Sequence, residues 1–361
     1  MLKAGPVWSL GAMAGRSLHG VDAAMILTDG ETVFDFGPSA HRPFSPAELA
    51  TLRAASGQWP GDPAVAAAAE VVETAHAELM ARFAGADLAG FHGLTLAHDP
   101  GGRGTHQCGN GALLAEVLGL PVVWDFRAAD VRLGGQGTPI TAFYLFALAR
   151  RLGRAPVAFL NLGAHGTLTF ADPAHALPEG PGALLAFDTG PAGAALDNLM
   201  QARGGVSPDA PAAQGTPDPE VIATTLGHPH FFRMAPKSLG GDAFAGLVRA
   251  VDHLSDADAC ATLTATAAAA VAAGLPLLPA APARILVTGR GRHNPALMAA
   301  LAARLPCPVL PVQTAGFDGD SLGARAMAHL AVRVARGLPT TCPGTTGVAA
   351  AVGGGEISRP A

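Results

Sequence analysis

Apolar residues along this chain fall into short runs bounded by glycine, proline and polar turns, and their spacing predicts alternating strands and helices. Val7 to Leu10 reads as a first strand and Val21 to Leu27 as a second, closing on the turn Thr28-Asp29-Gly30. Gly11, Gly15 and Gly20 lie between them, with Ser17 and Asp22 alongside, so the pair reads as a β-hairpin with a glycine-rich tip. Ser45-Pro46-Ala47-Glu48 has the pattern of a capping box with proline at the first helical position, and Asp62-Pro63 opens a longer alanine-rich helix through residue 83. Residues 87–100 read as an apolar strand ending in His92-Gly93-Leu94-Thr95. A helix from Asn110 to Leu118 and a buried strand from Leu120 to Phe126 follow, the latter ending on Asp125-Phe126-Arg127. Gly134-Gly135-Gln136-Gly137 reads as a hinge or domain junction before a helix over Pro139 to Leu152.

The pattern of the first half then recurs. Val157 to Gly163 is a strand into a turn, Gly166 to Phe170 a return strand, and Ala183 to Phe187 leads into Asp188-Thr189-Gly190-Pro191. Residues 204–240 read as loop-dominated, His228 and His230 included. Ser255 caps a helix running to Ala273, and Arg284 to Thr288 is a strand that delivers Gly289-Arg290-Gly291-Arg292-His293-Asn294-Pro295 to the start of another helix. A short strand from Pro308 to Val312, a helix from Asp320 to Arg336 and a glycine- and proline-rich tail complete the chain. Two strand–loop–strand units with helices between them describe a duplicated α/β architecture, in which ligands sit beyond the strand ends.

Composition narrows the classes. At 361 residues, 49% apolar and 14% charged, the chain suits two domains and is far too apolar for disorder. The longest apolar runs fall short of the ~20 residues of a membrane span, and the start lacks the pattern of a secretory signal, so no membrane partner and a cytoplasmic location are expected. Cys108, Cys260, Cys307 and Cys342 are scattered without a metal or disulfide spacing and read as reduced thiols. A net charge of −5 with no lysine cluster makes nucleic acid a poor partner.

Candidate chemistry begins at the first hairpin. Its tip lacks the lysine of a P-loop and leads into a strand, so a Walker site is excluded, and a hairpin-borne phosphate loop points instead to the actin-like type of ATP fold. On spacing alone Asp188 is first a turn or cap residue. Arg127 is equally a substrate clamp or a partner of Asp130. Gln136 is either a substrate contact or part of a hinge, and His92 reads as a buried, hydrogen-bonded histidine.

Eight segments in order carry a resemblance: GAMAGRSLHGVD from Gly11, GFHGLT from Gly90, DFRAAD from Asp125, GGQGTP from Gly134, NLGA from Asn161, DTGP from Asp188, APKS from Ala235 and GRGRHNP from Gly289. Together they resemble the anhydro-N-acetylmuramic acid kinases. That resemblance implies two actin-like (RNase H-like) α/β domains with a nucleotide cleft between them, over residues 1–133 and 134–337, the tail from about 338 to 361 returning to the first. It also implies an ATP- and Mg²⁺-dependent kinase that opens the 1,6-anhydro ring of the amino sugar with water and phosphorylates O6, acting as a homodimer. Asp188 then takes the base role. Gly15, Arg16, Ser17, Leu18, His19, Gly20, Val21 and Asp22, with Gly163, Gly190, Gly289, Gly291 and Asn294, fall to the nucleotide. Thr95, Arg127, Asp130 and Gln136 fall to the sugar, and no metal ligand is assigned. The chain departs from the family pattern at Ala14, Arg16 and His19 (Ser, Thr and Asp in the family), and at Leu94, Ala164, Gly193, Arg290 and Gly323. These departures leave two further readings: a catalytically weakened relative that binds nucleotide or amino sugar, and a kinase for another sugar.

Overall fold

The computed structural model describes residues 2–15, 17–204, 212, 214–240 and 243–361. The chain forms two compact units, Met1–Arg151 with Asp320–Ala361, and Leu152–Gly319. Both boundaries differ from those read in the sequence. The glycine cluster 134–137 and nearly all of the helix Ala142–Leu152 belong to the first unit, where Ala142 to Ala149 are all buried. The helix Leu322–Ala335 belongs there as well, and not only the tail after it.

The first unit is built on strands β1 (Val7–Ala14), β2 (Gly20–Thr28), β3 (Val33–Pro43), β4 (Leu88–Phe91), β5 (Leu94–Asp99), β6 (Gly104–Cys108) and β7 (Val122–Trp124). Its main sheet has the order β3-β2-β1-β4-β7, with the C-terminal strand Glu356–Ser358 added antiparallel to β7. β1, β2 and β3 are antiparallel neighbours, whereas β4 runs parallel to β1 and β7 parallel to β4. The second unit repeats the plan with β8 (Val157–Leu162), β9 (His165–Ala171), β10 (Leu184–Pro191), β11 (Ile285–Thr288) and β12 (Val309–Pro311), in the order β10-β9-β8-β11-β12. Again the first three strands are antiparallel and the last two parallel to the first. Both sheets therefore have the RNase H-like topology of the actin-like fold, and the duplication sensed in the hydrophobic pattern is a duplication of strand order.

Close approach explains several glycines. The helix Leu322–Ala335 lies so near β1 and β4 that a Cβ on Gly11 would stand 1.9 Å from the Ala324 carbonyl oxygen, and one on Gly90 2.3 Å from that of Met327. Ser9 Oγ ties the same helix down by donating to the Ala328 carbonyl at 2.8 Å. Gly11 is thus a packing residue inside β1, and the loop itself shrinks to residues 15–19.

The structure corrects four local readings. Residues 87–100 form two strands, because the chain breaks at His92-Gly93 and β5 leaves the main sheet to pair with β6. β3 has no counterpart in the predicted elements: as an edge strand it is largely exposed and carries little apolar signal. The helix Gly193–Ala202 was not anticipated, since its glycine and alanine start hides the apolar face at Leu196, Leu199 and Met200. Within the supposed loop 204–240, Pro219–Leu226 is a helix capped by Asp218 Oδ1, which accepts from Glu220 N at 2.8 Å.

Candidate active site

In the second unit, β8, β10 and β11 point their C-terminal ends to one edge of the sheet, so the loops after them gather there. Thr288 at the end of β11 pairs with Asn161 at the end of β8, bringing the turn at Gly163 beside residues 289–294. Gly289 has φ +73°, and a Cβ there would stand 2.5 Å from Asn161 Oδ1; one on Gly291 would stand 2.5 Å from Leu162 Cβ. Any larger residue would push these two loops apart. Asn294 caps the helix Pro295–Arg304, its Oδ1 accepting from Leu297 N at 2.7 Å. The buried Arg292 donates to the Gly289 carbonyl at 2.7 Å and closes the 290–293 turn.

Asp188 stands at the same edge, where β10 is bulged: it pairs with Thr167, and the next pair is Gly190 with Gly166. Its carboxylate accepts from Thr167 Oγ1 at 2.7 Å through Oδ1, and from Leu239 N at 2.9 Å through Oδ2. Gly190, with φ +151°, admits the helix Asp256–Gly274, since a Cβ would stand 2.7 Å from that of Ala270.

Sequence reasoning passed over the residues that hold Asp188. His230, read as a loop residue, is buried, and its Nε2 stands 2.7 Å from the Asp188 carbonyl. A carbonyl only accepts, so Nε2 carries a proton, and burial, which disfavours the charged ring, leaves it neutral. Burial pushes its pKa down to about 4. Lys237 was visible in the APKS segment but went unassigned; it is buried, with its pKa lowered by that burial.

In the first unit the ends of β1, β4 and β7 share one edge. The loop after β1 is joined to the end of β4 by Ala14 N donating to the Gly93 carbonyl. Gly15 is half-buried, Ser17 and His19 are exposed, and Leu18 adopts φ 55°, closing a turn by its N–H to the Gly15 carbonyl. Arg16 lies outside the described residues. Three expected loop residues lie on β2: Gly20 at its start, Val21 in the core of the unit, and Asp22 with Oδ1 2.7 Å from His41 Nδ1 on β3. Gly20, φ +152°, is pressed against β3, where a Cβ would stand 2.2 Å from the Arg42 carbonyl oxygen.

Three of the four sugar-side candidates form one network. Arg127 Nε donates to His92 Nε2 at 3.0 Å, and Nη1 donates to the Gly137 carbonyl at 2.6 Å. His92 Nδ1 donates to the Gly93 carbonyl, so this ring too is neutral, and burial and the Arg127 charge lower its pKa to about 3. Asp130 accepts from Gly137 N and from Thr346 Oγ1, each at 2.6 Å, and Gln136 N donates to the Thr346 carbonyl. The glycine cluster is therefore a loop wrapped over Asp130, not a domain junction. Thr95 stands apart on β5, accepting from Gln107 Nε2 at 3.2 Å. Asp125, after β7, has φ 51° and a pKa raised by burial. Leu18 and Asp125 share this left-handed backbone, and both flank the loop edge of the sheet, where strained residues gather at functional sites.

The departures from the family pattern have visible settings. Leu94 is buried in the core, Ala164 and Arg290 are exposed turn residues, and a Cβ on Gly323 would stand 2.4 Å from Met13 Sδ. A cavity of 310 Å³ in the second unit lies at the opposite edge, lined by Pro156, Arg284 and Leu310 among others, and contains none of these residues.

Comparison with known proteins gives a consistent result. The family model described as anhydro-N-acetylmuramic acid kinase matches residues 7–359. A protein of that name from Cereibacter sphaeroides is 62% identical, covering 100% of this chain and 98% of its own length. One from a Ruegeria species is 54% identical over 99% of this chain and 96% of its own. Among solved structures, the activator of the 2-hydroxyisocaproyl-CoA dehydratase from Clostridium difficile with bound ADPNP aligns with TM-score 0.46 at 11% identity, covering 91% of this chain and 96% of the other. A ROK family glucokinase from Streptomyces griseus in complex with glucose and AMPPNP aligns with TM-score 0.42 at 14% identity, covering 90% and 99%.

Proposed function

The chain belongs to the anhydro-N-acetylmuramic acid kinase family, and from that premise we propose that it uses ATP and water to convert 1,6-anhydro-N-acetylmuramic acid into N-acetylmuramic acid 6-phosphate and ADP. The observation that carries this reading is the family match along essentially the whole chain.

Asp188 takes the proton of the water that attacks C1, the C1–O6 bond breaks, and O6 takes the γ-phosphoryl group as ADP leaves. The bonds from Thr167 Oγ1 and Leu239 N favour the ionised carboxylate that a base requires. Gly15, Ser17, Leu18 and His19 of the hairpin loop, with Arg16 and with Gly20 at the start of β2, serve the phosphates. Gly163, Gly289, Gly291 and Asn294 serve the nucleotide, and Arg127, Asp130, Gln136 and Thr95 serve the sugar. Among the described residues no three His, Cys, Asp or Glu side chains gather as a metal cage. Mg²⁺, when bound with ATP, would supply charge neutralisation at the phosphates. Four free cysteines support a cytoplasmic setting, and we assign a homodimer as the working assembly.

The test is ADP release from Mg²⁺-ATP and anhydro-N-acetylmuramic acid in ¹⁸O-water, with mass spectrometry of the sugar. A phosphorylated, ring-opened product carrying ¹⁸O at C1 is expected. ADP without that product overturns the substrate assignment, and no ADP overturns the activity.

A further inference from the structure

Asp188 is closed into a ring of three residues. Its N–H donates to the Lys237 carbonyl at 2.8 Å, its own carbonyl accepts from His230 Nε2 at 2.7 Å, and the His230 carbonyl accepts from Lys237 Nζ at 2.9 Å. Each member gives one bond and receives one. His230 is 2% exposed and Lys237 3%, and the ammonium also lies 5.8 Å from the Phe187 ring centroid. Burying an ammonium costs free energy, and a carbonyl together with a ring face offsets it only in part. The ring fixes the backbone of Asp188 at the β10 bulge but leaves the carboxylate to other groups.

The Leu239 N–H and the Thr167 hydroxyl both donate to that carboxylate. The first is backbone, from the segment that carries Lys237. The second is a side chain from β9, opposite Asp188 in the sheet register, and it is the one that substitution can remove without disturbing the ring. The geometry points to Thr167 as the positioning residue of the reaction: its hydroxyl orients the Asp188 carboxylate and holds it ionised. This rests on the base role proposed for Asp188.

A hydrogen bond to the charged form lowers a carboxyl pKa, so losing it raises the pKa, and the acid limb of the rate profile moves to higher pH. Among the described residues, His230 and Lys237 close on Asp188, and His228 and Arg233 act on His230 from the same segment. The helix Asp256–Gly274 brings Ala270 to Gly190 and no charge. None of these groups changes in a Thr167 variant.

The experiment is the pH dependence of kcat/KM for ADP release in the wild type, Thr167→Val, Thr167→Ser and Asp188→Asn. Thr167→Val is expected to move the acid limb up by about one pH unit and to lower kcat about tenfold or more with little change in the sugar KM. Thr167→Ser, which keeps the hydroxyl, restores both. An inactive Asp188→Asn alongside an unmoved acid limb in Thr167→Val overturns the Thr167 role and leaves the base assignment standing. Wild-type turnover in Asp188→Asn overturns both. If the valine variant does not fold, Thr167→Ala against Thr167→Ser makes the same comparison.

Discussion

A single carboxylate illustrates how little a residue's identity says about its work. Asp188 sits in a turn-like tetrapeptide, and only its partners Thr167, His230, Lys237 and Leu239 distinguish it from an ordinary turn aspartate. Asp188→Asn keeps the size but replaces one of the two accepting oxygens by an NH₂ donor and removes the basicity. Turnover is expected to fall by about 10²- to 10⁴-fold, with ATP affinity by calorimetry within a few-fold of wild type. Retained turnover would remove Asp188 from the chemistry. Asn294 is a subtler case, since its Oδ1 already serves as a helix cap. Asn294→Ala is expected to cost about 1 kcal/mol of stability through the lost cap. A parallel weakening of ATP binding, measured on the folded protein, would show that its amide also serves the nucleotide.

Among the elements, the helix Leu322–Ala335 lies across β1, β2 and β4 of the first unit. Its seat depends on Gly11 and Gly90, where the facing atoms are backbone carbonyls that cannot rotate away. Gly90→Ala is therefore expected to destabilise the protein by roughly 1–3 kcal/mol, read as a lower thermal midpoint with unchanged substrate KM in the surviving folded fraction. An unchanged midpoint would mean that the helix shifts freely over the sheet. The hydrophobic pattern revealed this helix and the hairpin strands because each has a continuous apolar face. It did not reveal β3, exposed at a sheet edge, or the break between β4 and β5, which depends on β5 finding β6 rather than on residues 92–93 alone.

Across the whole molecule, buried histidines contribute to the response to acid. His76, His92 and His230 have pKa values lowered by burial to about 4, 3 and 4, against an ordinary histidine value of 6.5. Between pH 6.5 and about 4 the unfolded chain binds protons at these positions and the folded chain does not. Stability is therefore fully present above pH 6.5 and is lost as pH falls through that window, by up to about 1.4 kcal/mol per pH unit for each group. The thermal midpoint should drop between pH 7 and pH 5, and His76→Phe should flatten that slope. A slope unchanged by the substitution would show that His76 is not neutral in the folded state.

The eight ordered segments and the two matching sets of apolar runs were enough to establish the family resemblance and the duplicated α/β plan, because burial and turn geometry are written in local periodicity. The glycines were visible too, but not their separate reasons. Gly11 and Gly90 admit a helix, Gly289 and Gly291 let two loops meet, and Gly135 and Gly137 let a loop fold over Asp130. Gly135 and Gly137 meet Asp130 and Val131 close by, whereas the first two of these distinctions belong to tertiary structure, since each depends on an atom far away in the chain. The same holds for His230 and Lys237, which reach Asp188 across 42 and 49 positions, and for the strand Glu356–Ser358, which joins a sheet begun at Val7. A polar side chain has the same letter whether it caps, clasps or reacts, and docking alone decides which partner it meets.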